Sequence, residues 1–322
     1  MRKHLINVIC RVAALILATS ASLCLVCCDG EPVETGPEIA TSAEPVLNGL
    51  EEMETIDRSS IHSDYAILCK LDTKTAVAGL RATERMYPAS LTKLMTFIVA
   101  YENAADLTAL IEITKELKNQ YPEGSRVGID VGDLLTVEQM MYALLLSSDT
   151  DAALGLAKHI AGGEAAFVEL MNRKAEELGL TQTRFANVTG LHHKEHYTTP
   201  AEMAAILAYA LGIDLGKTIL TTETYVTWLK YYKPTGELAD YRMTFYNTTL
   251  RDRFANNDIQ RKTATGVTVL GGKTGLTDEA EYCLSTVAQA ADGAEYILIT
   301  GHAGSGEKSA RDAVWIYTQY VK

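Results

Sequence analysis

Apolar and polar residues alternate over Asp64–Asp72 (DYAILCKLD) and Lys74–Leu80, which predicts two short strands about a turn at Asp72-Thr73-Lys74. A helical repeat then takes over from Ser90 to about Ala210. Leu91, Leu94, Met95 and Ile98 share one face behind a start signal at Pro88. Thr136 with Gln139 forms a capping-box pattern ahead of Met140–Ile160, and Glu164–Leu178 is a further amphipathic segment. Thr199-Pro200-Ala201-Glu202 combines a cap, a proline at the first helical position and a glutamate at the third. Strand patterns return at Tyr225–Tyr231, Val267–Gly272, Tyr282–Ala288 and Tyr296–Gly301, and a helix over Lys308–Tyr320 follows. Strands at both ends of a helical block predict an α/β (α+β) body whose sheet joins the two ends, with a helical subdomain inserted at about 100–215.

The segment before Ser63 has a different character. Residues 1–28 hold Arg2, Lys3 and Arg11, no acid, and an uncharged run from Val12 to Cys28. That pattern predicts a secretory signal or an N-terminal membrane anchor rather than a fold element. Small residues at Ala18–Ser22 suit cleavage, whereas Leu25-Val26-Cys27-Cys28 makes Cys28 a lipidation candidate. Residues 29–62 are rich in glutamate and carry Pro32, Pro37 and Pro45, so they read as an acidic flexible tether to a domain over 63–322. The protein is expected to be exported and held at the membrane by its N-terminus, or otherwise secreted. Because the sequence ends soon after Lys308–Tyr320, no C-terminal anchor is expected.

The 322 residues include 29 Lys+Arg against 41 Asp+Glu, a net charge of −12, which argues against a nucleic-acid partner. Four of the six cysteines lie in the leader. Cys69 and Cys283 remain; a disulfide is conceivable in an exported protein, and two buried thiols are the preferred reading.

Three short motifs carry the chemistry. Ser90-Leu91-Thr92-Lys93 sets a hydroxyl and an amine on one helix face, where a neutral lysine can take the serine proton. Removing the lysine's own proton at neutral pH costs roughly 4–5 kcal/mol unless burial or a nearby cation helps. A second copy, Ser305-Gly306-Glu307-Lys308, reads as a surface helix start. Ser147-Ser148-Asp149-Thr150-Asp151 interrupts an apolar helix with hydroxyls and carboxylates, which must be partnered or face a cleft. Gly271-Gly272-Lys273-Thr274-Gly275 follows an apolar strand and offers a cation and a hydroxyl for a carboxylate. It lacks the spacing of a phosphate loop.

Taken in order, the three motifs resemble those of the penicillin-binding serine D-alanyl-D-alanine carboxypeptidases, of low molecular mass and β-lactamase/transpeptidase-like fold. The likeness extends to Tyr87–Thr96, to Asn187–His192 with His196–Thr199, and to Lys273–Thr277 leading into Tyr282-Cys283-Leu284. It implies an antiparallel sheet of about five strands flanked by helices, plus an all-helical subdomain. It implies that Ser90 is acylated, Lys93 takes its proton with help from the field of Lys273, and Ser148 relays a proton to the leaving D-alanine. Lys273 with Thr274 would hold the terminal carboxylate, Gly275, Leu276 and Thr150 would also bind substrate, and the N–H groups of Ser90 and Leu276 would form the oxyanion hole. The implied partners are peptidoglycan stem peptides ending in D-Ala-D-Ala and, as covalent inhibitors, β-lactams; no cofactor or metal is implied. In the family's sheet order the strands of Cys69 and Cys283 are not neighbours, which also favours free thiols.

Two positions depart from the family pattern. Thr150 stands where an asparagine is usual, with Asp149 a candidate to supply the missing polarity, and Glu281 stands where glycine is common. A serine β-lactamase is the nearest rival, but the stretch Thr181–Asn187 holds no acid to drive water onto an acyl-enzyme. A metallopeptidase built on His192, His193 and His196 is disfavoured, because these read as a solvated loop. A penicillin-sensing or wall-binding module is the third alternative.

Overall fold

The computed structural model describes residues 47–322. The expected leader over 1–28, Cys28 and the tether up to residue 46 lie outside the described residues. Along the chain run β1 (Glu54–Thr55), β2 (Tyr65–Lys70), β3 (Thr75–Leu80), α1 (Lys93–Asn103), β4 (Leu110–Glu112), α2 (Lys115–Gln120), β5 (Asp133–Thr136), α3 (Val137–Leu146) and α4 (Thr150–Ala161). Then come α5 (Glu164–Glu177), α6 (Pro200–Gly212), α7 (Asp214–Thr221), β6 (Thr224–Tyr232), β7 (Leu238–Tyr246), β8 (Thr268–Thr277), β9 (Glu281–Gln289), β10 (Glu295–Gly301) and α8 (Gly306–Tyr320).

Among the described residues the main sheet has the order β1-β3-β2-β10-β9-β8 and is antiparallel apart from the two-residue edge β1. β10 joins the two ends of the chain: it pairs β2 at Ile297↔Cys69 and β9 at Ile297↔Val287. Period-two alternation divides the core. Ile67, Cys69, Ile297 and Ile299 enter the cluster shared with α1, α3 and α6, whereas Ala66, Leu68 and Leu298 enter a second cluster with α8. Cys69 and Cys283 are buried free thiols on strands separated by β10, as the sheet order implied.

The sequence-derived boundary at residue 63 is corrected: the fold takes in the end of the expected tether. Ile56 and Ile61 are buried, and β1 pairs parallel with β3. Asp312 on α8 accepts from the backbone N–H groups of His62 and Ser63 and from the Ser63 hydroxyl. A few spaced apolar residues dock this acidic segment while its charges stay outside.

The inserted subdomain is also not all-helical. β4, β5, β6 and β7 form a second, four-stranded antiparallel sheet among the described residues. β4 is three residues long, too short to show an alternation in sequence. Gln139 links the helices to this sheet. It completes the capping box of α3 with Thr136 and donates to Thr227 Oγ1 and the Trp228 carbonyl on β6. At α6, Thr199 caps the Glu202 N–H as the sequence indicates. The Glu202 carboxylate is buried and accepts from Gln182 N and Thr183 Oγ1.

Candidate active site

Ser90 lies in a short 3₁₀ turn, Ala89–Thr92, that runs directly into α1, and Lys93 is the first residue of that helix. Lys93 Nζ sits 3.1 Å from Ser90 Oγ and donates to the Thr189 carbonyl at 2.9 Å. The lysine is buried, and burial pushes its pKa down to about 8 against an opposing pull from the Asp149 carboxylate. Desolvation, rather than the field of Lys273 that was expected to help, is the main cause. Behind the serine, Gly190 has φ +85°, and a Cβ there would lie 1.9 Å from the Ala89 oxygen. Only glycine lets the Thr189–Leu191 backbone approach this closely.

Ser148 lies in the middle of the three-residue break between α3 and α4 with φ +58°, a left-handed conformation uncommon for a side-chain-bearing residue. That turn aims its hydroxyl at Lys273, whose Nζ lies 2.8 Å away and also donates to the Thr274 carbonyl. Lys273 is buried within β8, and its pKa is lowered by burial first, then by the positive charges of Lys93 and Arg253. The two Ser/Lys pairs, Ser90–Lys93 and Lys273–Ser148, thus flank one cleft of about 530 Å³. Ser90, Ser148, Thr274, Gly275 and Leu276 line it, and Ser305-Lys308 lies elsewhere, Ser305 serving only as the cap of α8.

The D-alanyl-D-alanine carboxypeptidase family model, peptidase S11, matches residues 52–301. The chain belongs to this family. It is 31% identical over 249 residues to the D-alanyl-D-alanine carboxypeptidase DacF of Bacillus subtilis, covering 76% of this chain and 59% of that protein. The D-alanyl-D-alanine carboxypeptidase of Streptomyces sp. strain K15 is 30% identical, over 66% of this chain and 71% of its own length. The crystal structure of the Streptomyces K15 DD-transpeptidase superposes with a TM-score of 0.71 at 26% identity, covering 82% of this chain and 98% of that one.

Against the family pattern, Thr150 is a correction. It is buried, does not line the cleft, and packs beneath the Tyr121–Val127 loop, where a Cβ on Gly124 would lie 2.5 Å from Thr150 Oγ1. Asp149 does not replace the asparagine either. It caps α4 through Ala152 N and accepts from Val127 N, and burial raises its pKa to about 6. With Thr150 N bonded to the Ser125 carbonyl and Arg126 paired to Asp151, residues 149–151 work as a clamp on that loop. The loop in turn presents Ser125 and Arg126 to the cleft.

Glu281 has φ +48°, a left-handed conformation that favours glycine over a residue with a Cβ. The histidine cluster is also partly corrected. His192 and His193 are exposed, but His196 is buried, with its pKa pushed down to about 3. Its Nδ1 accepts from Ala186 N, so Nε2 carries the proton and donates to Thr92 Oγ1, which donates to the Ala89 carbonyl. This neutral chain ends on the residue preceding Ser90, and Ala89 itself has φ +47°.

Sequence reasoning missed several cleft residues: Tyr246, Thr248, Arg251, Asp252 and Arg253. Thr248 Oγ1 lies 2.9 Å from Thr274 Oγ1, and Arg251 is paired to Asp252. Arg253 lines the cleft, and its Nε is buried without a hydrogen-bond partner. These residues lie in and before a short π-helix, Thr249–Phe254, too short to give a periodic signal in sequence.

Proposed function

We propose that this protein is a serine-type D-alanyl-D-alanine carboxypeptidase that removes the terminal D-alanine of peptidoglycan stem peptides through an acyl-enzyme on Ser90. The observation that carries the reading is Lys93 Nζ, buried and with a lowered pKa, 3.1 Å from Ser90 Oγ. With a pKa of about 8 roughly a tenth of Lys93 is neutral at pH 7, against less than a thousandth of an ordinary lysine. Neutral Lys93 takes the Ser90 proton as Oγ attacks the carbonyl of the penultimate residue. The N–H groups of Ser90 and Leu276 receive the oxyanion. Ser148, hydrogen-bonded to Lys273, passes a proton to the nitrogen of the departing D-alanine, and water then releases the shortened peptide. The terminal carboxylate is held by Thr274 and by the positive charge of Arg253, which lines the cleft.

β-Lactams acylate the same oxygen in this scheme. The basic, acid-free leader supports export with N-terminal attachment, Cys28 being the residue for a lipid. The test is D-alanine release from a peptide ending in D-Ala-D-Ala by wild type and Ser90→Ala, together with mass-spectrometric mapping of a penicillin adduct. Release by wild type alone and an adduct on Ser90 support the reading. An adduct at Ser90 with no release from the peptide would favour a penicillin-sensing module instead.

A further inference from the structure

The β6–β7 ribbon pairs residue for residue from Thr224↔Tyr246 to Tyr232↔Leu238. Its inner face, Tyr225, Leu229 and Phe245, packs on the subdomain core, where Tyr225 stacks on Tyr142. The outer face carries Val226, Trp228, Tyr232, Leu238 and Tyr246, with Trp228 57% and Tyr232 63% exposed. So many large apolar groups along one exposed strand pair mark a binding surface more than scattered surface chance.

This face is continuous with the catalytic cleft. Thr244 and Tyr246, at its inner end, line the cleft, and Arg251 lies over the Tyr246 ring. From Tyr246 the strand runs out past Arg242, the partner of Trp228, and reaches Leu238, the partner of Tyr232. At about 3.3 Å per residue these positions stand roughly 13 Å and 26 Å from the cleft end.

We propose that the outer face of the β6–β7 ribbon is a subsite for the amino-sugar rings of the glycan to which the stem peptide is attached. The inference rests on the carboxypeptidase reading of the cleft. About four stem residues separate the scissile bond from the sugar, and extended they span roughly 13–14 Å. A stem of that length is comparable with the run of the ribbon face beyond the cleft, so the glycan end of the substrate falls on the Trp228–Arg242 region. The next rings along the glycan fall toward Tyr232. Aromatic rings fit the apolar faces of sugars, and Lys230, Asp240 and Arg242 on the same face supply partners for hydroxyl and N-acyl groups. The opposed Lys230↔Asp240 pair in the middle of the face disfavours a lipid surface, which would have to bury the carboxylate.

Trp228 and Trp315 are the two tryptophans of the chain, so a Trp315→Phe background isolates the Trp228 emission. Soluble glycan strands stripped of peptide should quench that emission saturably. Trp228→Ala should raise KM for a disaccharide-pentapeptide about five- to tenfold while kcat holds, and free pentapeptide should show less than a twofold change. Tyr232→Ala should weaken longer glycan chains and spare the disaccharide-pentapeptide. Unaltered emission with normal D-alanine release from both substrates overturns the sugar subsite and leaves the catalytic reading standing. Saturable quenching without D-alanine release from either substrate supports the subsite and overturns the catalytic reading. Quenching by anionic phospholipid vesicles but not by glycan, or an equal KM change on both substrates, also overturns the subsite.

Discussion

Replacing Lys93 by methionine should abolish acylation and, at neutral pH, stabilise the fold. The lysine is buried at the start of α1, and burial lowers its pKa from 10.5 to about 8. A displacement of that size corresponds to about 3 kcal/mol of unfavourable free energy for keeping the charged form inside the protein. Methionine keeps most of the lysine stem and removes the charge. The Thr189 carbonyl loses its shorter donor and retains the Ser90 hydroxyl at 3.4 Å, a loss of about 1 kcal/mol. Asp149 loses a favourable cation, but Lys273 is relieved of a repulsive one. The net expectation is a gain of about 1–2 kcal/mol at pH 7.

The pH dependence makes this reasoning specific. Below pH 8 Lys93 is protonated in both folded and unfolded chains, so wild type carries the full penalty. Between pH 8 and 10.5 the unfolded chain binds the proton that the folded chain has released, and wild-type stability rises with pH. Above 10.5 neither state is charged at this position. Urea unfolding of wild type and Lys93→Met at pH 7 and pH 10 should therefore show the variant ahead at pH 7 and the gap shrinking by pH 10. Acylation of Ser90 by a labelled penicillin should fall about 10³-fold or more. A variant that is less stable at pH 7, or a gap that does not change with pH, would refute the assignment of Lys93 as a strained, desolvated base.

Four further outcomes test the rest of the site. Gly190→Ala pushes a methyl into the Ala89 carbonyl and should slow penicillin acylation about 10²-fold while circular dichroism shows the fold retained. Ser148→Ala should cut D-alanine release about 10²–10³-fold in steady-state assays, with a smaller fall in penicillin acylation, because a β-lactam leaving group stays attached. Thr150→Ala should cost about 1–2 kcal/mol in urea unfolding and leave acylation within a few-fold of wild type, since its side chain supports the Gly124 loop and does not reach the cleft. His196, neutral in the fold down to about pH 3, takes a proton near 6.5 when unfolded, so wild-type stability should fall as pH drops through that window. His196→Phe should be less stable at pH 7 and lose stability less steeply between pH 6.5 and 4.

The proposed catalytic pair was legible as neighbours because it lies along one helical segment. Ser90 and Lys93 are three positions apart, and a helix turns that spacing into a shared face whatever surrounds it. The apolar strand around Lys273 and the cap at Thr199 were legible for the same reason: regular geometry ties spacing to direction. The β4–β7 sheet was only partly visible, since β4 has three residues and the outer face of β7 sets Leu238 and Tyr246 among Asp240, Arg242 and Thr244. His196 was placed in a solvated loop because it packs against Phe185 and bonds to Thr92, contacts that spacing along the chain does not reveal.

The sharpest failure, Thr150, has a local cause. Ser148 turns through φ +58°, and beyond such a turn the side-chain directions that motif spacing implies no longer follow from counting residues. The hydroxyl of Ser148 faces Lys273, while the residue two places on faces the underside of the Gly124 loop. The same left-handed device recurs at Ala89, just before Ser90, and at Glu281, where β9 begins opposite the Lys273 strand. Each conformation is unfavourable for a residue with a Cβ by about 1–2 kcal/mol. They are held because neighbours over-determine them: the Thr92–His196 chain at Ala89, Lys273 at Ser148, His302 beside Glu281. The cleft is thus assembled at turns whose geometry is imposed by tertiary contacts, which is why residue types could be read from the sequence there and side-chain directions could not.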